Sequence, residues 1–377
     1  MHLDSELPAS FAPTVPPTFG FAASYGEARR KFLAACTLRG LQAQWHAHPL
    51  RGAEGEALAV DVARVGSADA RRVLVLTSGV HGVELFAGSG CQIDWLLSAG
   101  PDALPAGVAV VLVHGINPWG ASWLRRYNED NADLCRNYVD YAQPLPQSPR
   151  YAALHAAATA APGDEGADAV VHAFERAHGH EALYNALMGG QYAHAQGMGF
   201  GGSGPTWSRR TMEAILQQHA GNASHVCLVD YHTGLGPYGY GSMVALQQGA
   251  ALARMRAAFG AWVIAVAVAE AEAPEDFAPV SGHTTPGYER ALPGAEVTAG
   301  VLEFGTGRPQ HMLQLLLQDQ RDWAQGASRE ALLPAARQRR EALRDFFYPP
   351  DAAWQASLAA QSRLVVAQGL AFLAAAG

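Results

Sequence analysis

Three stretches of this 377-residue chain carry the side chains best suited to chemistry. His81-Gly-Val-Glu84 follows the apolar run Val73 to Leu76, Asp230-Tyr-His232 follows Val226 to Val229, and Glu303 interrupts Val301-Leu302-Glu303-Phe304. His81, Glu84 and His232 offer two imidazoles and one carboxylate, the donor set of catalytic zinc sites that keep one coordination position open. Zinc held in this way draws the pKa of a bound water towards ~7, and a carboxylate such as Glu303 could take its proton as it attacks a carbonyl. Each element has a plainer alternative. An isolated His-x-x-Glu also describes a loop histidine followed by an acid at a helix N-terminus. Glu303 also fits a partly exposed edge strand; in a buried one its charge is costly unless paired or beside a metal.

Such groups need a scaffold that presents them on one edge. Val73 to Leu76 reads as a buried strand. After Glu84, the residues Leu85, Ile93, Trp95, Leu96 and Leu97 fall at roughly helical spacing. Strand, Gly-flanked loop and helix in succession place His81 and Glu84 at a strand's carboxyl end, where open α/β sheets carry their chemistry. Strand alternation puts Asp230 and His232 on one face, so the carboxylate can orient the imidazole or a neighbour. Further strands are expected over Ala57 to Val65, Val108 to His114, Ser242 to Leu246, Trp262 to Val268 and Gly300 to Phe304. Helices are expected over Ser24 to Leu41, Gly249 to Phe259, Pro309 to Gln318, Ala331 to Phe347 and Ala352 to Ala375. The alternation predicts α/β layering, with a right-handed crossover if the strands at 73–76 and 108–114 are parallel.

The loop Arg125 to Asn137 is dense in Arg, Asn and Asp, and on the same sheet edge it suits a substrate anion; an exposed ion-paired loop is the alternative. Tyr151 to Leu187 is Ala-rich and helix-favouring, and Gly189 to Pro205 is glycine-dense. Gly197-x-Gly199-x-x-Gly202 matches a dinucleotide fingerprint by letters only, because no strand precedes it and no helical pattern opens after it. This stretch suits a mobile rim or lid. A second His-x-x-Glu at His178 and Glu181 has no strand to deliver it and reads as a surface feature.

Apolar residues make up 49% and charged residues 16% of the chain, with a formal charge of -8. No basic run could follow a phosphate backbone, so nucleic acid is not an expected partner. Met1 to Gly20 is proline-rich without a basic and apolar leader pattern, and no apolar run reaches the ~20 residues of a membrane span. Cys36, Cys91, Cys135 and Cys227 show no Cys-x-x-Cys pairing, as expected for reduced thiols in a cytoplasmic protein. We expect a flexible segment at 1–20 and one catalytic domain at 21–377, with an insertion at about 150–210.

Taken in order, His81-Gly-Val-Glu84, Asn117-Pro118, Asp133-Leu-Cys-Arg136-Asn137, Asp230-Tyr-His232 and Leu302-Glu303-Phe304 resemble the signature of the zinc carboxypeptidase (M14-like) superfamily. The Asp-x-His and Leu-Glu-Phe-Gly segments are most similar to its DUF2817 branch, and similar also to the succinylglutamate desuccinylase and aspartoacylase branch. The resemblance implies a mixed, mostly parallel sheet between helices, with a Gly-rich inserted loop, and one zinc ion. It implies His81, Glu84 and His232 as metal ligands, Glu303 as general base and Arg136, with Asn137 beside it, as binders of a substrate carboxylate. A second arginine that polarises the reacting carbonyl would be Arg125 or Arg126, and a mobile tyrosine would lie near Tyr238 or Tyr240. One departure stands out: Cys135 occupies the place of the asparagine that usually precedes this arginine. The expected function is amide hydrolysis in a small carboxylate-bearing substrate, such as a peptide C-terminus. The alternatives are an N-acyl amino acid deacylase or esterase and, in another class, a non-catalytic metal- or ligand-binding module.

Overall fold

The computed structural model describes residues 18–266, 281–326 and 334–376. The first half forms α1 (Tyr25–Leu38), β1 (Gln44–Arg51), β2 (Ala57–Val65), β3 (Arg72–Ser78), α2 (Leu85–Leu97), β4 (Val108–His114) and α3 (Pro118–Ser122). Then come α4 (Pro149–Ala158), α5 (Glu165–His178), α6 (His180–Met188) and α7 (Trp207–Ala220), followed by β5 (His225–Tyr238), β6 (Gly241–Ala245) and α8 (Gly249–Phe259). The remainder is β7 (Val263–Ala265), α9 (Thr284–Ala291), β8 (Glu296–Gly305), α10 (Pro309–Ala324), α11 (Pro334–Phe347) and α12 (Ala352–Ala375). The expected strand end at 267–268, the helix start at 331–333 and residues 1–17 lie outside the described residues.

The sheet runs β1-β2-β4-β3-β5-β8-β6-β7, with β4, β3, β5 and β8 mutually parallel at its centre. Both faces of that centre are covered. Along β3, Leu74 and Leu76 join the core under α1, α2 and α12, while Val73 and Val75 join the core under α7 and α9. A strand covered on both sides must be apolar at every position, which is why no alternation marks Val73 to Leu76. Each such side chain contributes on the order of 1.5–3 kcal/mol of burial. From β3 the chain crosses to β4 on one side and later returns to β5 on the other. This reversal opens a crevice at the carboxyl ends of β3 and β5.

Two sequence expectations change. Glu303 is not on an edge, since β8 pairs with both β5 and β6. Apolar runs alone also understated α12, whose 24 residues are long and apolar enough to cross a membrane by length and composition. Alanines, glutamines and Ser362 dilute its hydropathy, and Trp354, Leu358, Val365, Val366 and Leu373 pack it into the core beside α2 and β3. β1, α7 and α9 are further elements that no expected strand or helix covers.

His114, the last residue of β4, is fully buried with Nε2 2.9 Å from the Ser89 hydroxyl and its ring stacked on Phe32. Burial, helped by the Arg29 charge, pushes its pKa down to about 3. The unfolded chain therefore takes up a proton below the ordinary value of 6.5 that the folded chain refuses until about 3. The stabilisation is complete above that ordinary value and is lost as pH falls through this window, at up to ~1.4 kcal/mol per pH unit. Replacing it, His114→Gln should flatten the acid limb of stability measured by circular dichroism; a limb as steep as wild type would refute this account.

Candidate functional site

At the end of β3, Gly79 takes a positive φ of 76° and the Ser78 carbonyl accepts the N–H groups of Gly115 and Ile116, so the exits of β3 and β4 are tied together. The chain then enters a single 3₁₀ turn, Gly82–Glu84, before α2. Position 82 admits no side chain: a Cβ there would lie 2.1 Å from the Gly120 carbonyl carbon. The Gly82 and Val83 N–H groups donate to the Arg126 and Arg125 carbonyls, bracing the turn on the arginine loop. β5 extends beyond β3 and sets His232 opposite Glu303 in register.

In this crevice the His81 Nδ1 lies 2.9 Å from Glu84 Oε1, the His232 Nδ1 lies 3.1 Å from Glu84 Oε2, and the two Nδ1 atoms are 3.1 Å apart. The opposite ring nitrogens face carboxylates: His81 Nε2 is 3.2 Å from Asp133 Oδ1, and His232 Nε2 is 3.1 Å from Asp230 Oδ2. The hydrogen bond to Asp133 favours the Nε2–H tautomer of His81 and turns its Nδ1 lone pair inward. His232 Nε2 approaches Asp230 at ion-pair distance without a hydrogen bond, and its Nδ1 likewise faces His81 and Glu84. Electron pairs crowded like this require protons or a cation between them. Tetrahedral zinc with bonds of ~2.0–2.1 Å separates neighbouring donors by roughly 3.3 Å, close to the spacing here, so the donor set fits the ion.

The electrostatics agree. Burial and Arg126 press the His81 pKa down, yet Glu84, Cys135 and Asp133 outweigh them and raise it to about 10. His232 is raised well above its ordinary value, with Asp230 and then Glu84 overcoming burial. Glu84, although buried, is held well below the usual carboxylate range by the imidazoles, and accepts the Thr233 N–H at 3.0 Å. Glu303 goes the other way: burial and repulsion from Glu84 raise it to about 7, against the pull of His232 and the Leu235 N–H. The pocket attracts positive charge and keeps one carboxyl poised near neutrality.

A second donor set shares the two histidines. The donor atoms of His81, Cys135 and His232 lie within 4.8 Å of one another, and all three residues are buried. Burial raises the Cys135 pKa, but His283 and His81 hold the thiol well below its ordinary value.

The arginines divide. Arg126 faces the site, with Nη1 3.2 Å from Glu84 Oε1 and Nε 3.2 Å from Asp133 Oδ2. Arg125 is fully buried elsewhere, on Asp319 at 2.9 Å and over the Trp323 ring, so its guanidinium is structural and the expectation that it reaches substrate is corrected. Arg136 donates Nε and Nη2 to the Met188 carbonyl and Nη1 to that of Cys135, which fixes its guanidinium while leaving further N–H groups. Asn137 is also corrected as a substrate binder. Its amide donates to Tyr141, Gly201 and Gly204 and accepts from Thr206, so it clamps the glycine-rich loop. Tyr240 is 45% exposed with its ring towards Trp262 and makes no side-chain hydrogen bond to the site. Tyr238 bonds to Asp351. Residues 202–207 wall a separate groove of about 760 Å³ with Trp119, Trp123 and Trp323, away from the histidines. His180 pairs with Glu175, as a surface feature would.

Sequence reasoning passed over Asp133 as an orienting carboxylate, although its place two residues before Cys135 is in the quoted motif.

A largely parallel sheet between helices, with such a crevice at its carboxyl edge, is the carboxypeptidase-like fold. Carboxypeptidase A from Helicoverpa armigera matches at a TM-score of 0.50 and 12% identity, over 94% of this chain and 74% of that one. The sequence profile of the family described as "Protein of unknown function (DUF2817)" matches residues 21–361, and the chain belongs to that family. Two further structures are more distant. Succinylglutamate desuccinylase/aspartoacylase from Rhodobacter sphaeroides matches at 16% identity and TM-score 0.38, over 74% of this chain and 62% of that one. Murein-tripeptide amidase from Escherichia coli O157 matches at 13% and 0.39, over 75% and 91%. No curated protein sequence matches the chain.

Two variants decide between the donor sets. With Glu84 as the third ligand, Glu84→Gln loses most bound zinc in elemental analysis while Cys135→Ser keeps about one ion per chain; the reverse pattern selects the cysteine. Separately, Arg125→Met should lower the unfolding free energy by about 3–5 kcal/mol, because it strands buried Asp319 without one of its two arginines. A denaturation midpoint like that of wild type would show the pair to be dispensable.

Proposed function

We propose that the chain is a zinc-dependent hydrolase that cleaves an amide bond in a small carboxylate-bearing substrate. The observation that carries this reading is the convergence of His81 Nδ1, His232 Nδ1 and both Glu84 oxygens within 2.9–3.1 Å. His81, Glu84 and His232 would hold the ion, and when bound it supplies Lewis acidity and lowers the pKa of water. Glu303 would be the general base: a carboxyl raised to about 7 can accept a proton and return it at neutral pH. Arg126, at the rim of the same cluster, would stabilise negative charge developing on the reacting carbonyl oxygen. Arg136 would receive the substrate carboxylate through the N–H groups its backbone partners leave over.

One observation favours a second reading, a deacylase of N-acyl amino acids or an esterase. The amide of Asn137 is committed to the loop and Cys135 brings none, so the carboxylate end has fewer donors than a C-terminal clamp would offer. Dipeptides and N-acyl amino acids, incubated separately with the zinc-loaded protein and read by mass spectrometry, distinguish the two. In either case Glu303→Gln should lower kcat by at least ~10²-fold with zinc content unchanged. Full activity in the metal-free protein, or in Glu303→Gln, would remove the zinc-hydrolase reading.

A further inference from the structure

The groove of about 760 Å³ has a lining that includes none of His81, Glu84, His232 and Glu303, and its volume falls within the ~300–1,000 Å³ span of small-ligand sites. Packing fixes its aromatic wall before any ligand arrives. Trp119 and Trp123 stack with ring centroids 5.5 Å apart, and Trp119 meets Trp323 edge to face at 6.0 Å. The Trp123 indole N–H donates to the Arg51 carbonyl at 3.4 Å, which sets the plane of a ring that is only half-buried. Trp207, also half-buried, meets the His48 ring edge to face at 4.5 Å. The loop before it is pinned by Asn137, which donates to the Gly204 carbonyl and accepts the Thr206 N–H.

The same lining carries polar groups that the fold leaves unspent. Among the described residues the Trp119 and Trp207 indole N–H groups, the Arg51 guanidinium and the Asp130 carboxylate make no hydrogen bond. Arg210 donates one N–H to the Pro205 carbonyl and keeps others. Glu129 has one oxygen 3.3 Å from His48 Nε2 and the other without a partner. Two guanidiniums therefore stand against two carboxylates, and an ion of either sign would be repelled by one pair as it met the other. The lining suits instead a neutral molecule that both donates and accepts hydrogen bonds and lays an apolar face on a fixed indole. A pyranose ring has this chemistry, with hydroxyls round its rim and C–H groups on its faces.

We propose that this groove is a saccharide-binding site, in which a sugar ring stacks on the Trp123 indole and its hydroxyls bond to Asp130, Arg51 and the free indole N–H groups. The assignment does not rest on the hydrolase reading, because it uses neither the metal-binding cluster nor Glu303. Maltotriose, cellotriose and chitotriose are the probes, each titrated into the whole protein. At least one should quench tryptophan fluorescence to saturation and bind in calorimetry. Asp130→Ala alters an exposed side chain, so its thermal midpoint should match wild type while Kd rises ~10-fold, as expected for a hydrogen bond to a charged group. Trp123→Ala removes the stacking face and should raise Kd at least ~10-fold. Glu84→Gln should bind the same sugar with an unchanged Kd. Neither glycyl-leucine nor choline should displace it.

A wild type that binds none of the three sugars would overturn the assignment, as would a bound sugar whose Kd is unchanged in Asp130→Ala. Displacement by glycyl-leucine or by choline would also overturn it, since that marks a groove for peptides or for organic cations. Should Trp123→Ala lower the thermal midpoint, Asp130→Ala alone decides. Sugar binding that responds as expected in a protein that hydrolyses nothing would uphold the groove and remove the hydrolase reading alone.

Discussion

Glu84 is almost completely buried, negatively charged, and faced by two imidazole lone pairs. Left alone, such a group would repel its neighbours and take up a proton, because a charge withdrawn from water costs several kcal/mol unless it is paired. The surrounding structure compensates in layers. Arg126 and the Thr233 N–H contact the carboxylate directly. Asp133 holds His81 with one oxygen and Arg126 with the other. Asp230, facing His232, is itself held by the hydroxyls of Thr77 and Thr284. His81 is therefore oriented by a carboxylate that is in turn oriented, while Asp230 supplies His232 with a fixed negative charge at ion-pair distance.

Adjacent residues serve this cluster in opposite ways. Arg126 turns into it, while Arg125 turns away to Asp319, which also binds the fully buried Arg340. The main-chain carbonyls of this pair accept the N–H groups of Gly82 and Val83, so both arginines brace the same turn whatever their guanidiniums do. Cys135 and Asn137, either side of Arg136, divide similarly, one beside His81 and His232 and one on the glycine-rich loop.

The strand ends were legible in the sequence because fully covered parallel strands leave an unbroken apolar run, and His81, Glu84, His232 and Glu303 follow or interrupt such runs. Side-chain direction was not legible. Nothing local separates Arg125 from Arg126, since the difference is set by Asp319 on a helix 194 residues later. The commitment of the Asn137 amide depends on loop backbone at 201–206. The edge strand β1 escaped notice because it is mostly exposed and carries polar residues and a proline where a covered strand would be apolar. Helix α12 was expected over the bounds it has, Ala352–Ala375, and only its membrane-span length and hydropathy went unmarked, because glutamines, Ser362 and Arg363 interrupt its apolar run.

The register of β5 against β3 and β8 has a consequence for how the protein is made. His81 and His232 are 151 residues apart, and Glu303 lies on a strand that pairs only after both. The chain must be released through β5 before His232 can meet His81 and Glu84, and β8 brings Glu303 later still, so these groups approach one another through non-local pairing whose loop-closure entropy is high. An ion held by His81, Glu84 and His232 would need β3 and β5 already paired and so would not nucleate this fold. It would act on the paired sheet, slowing unfolding far more than it speeds folding.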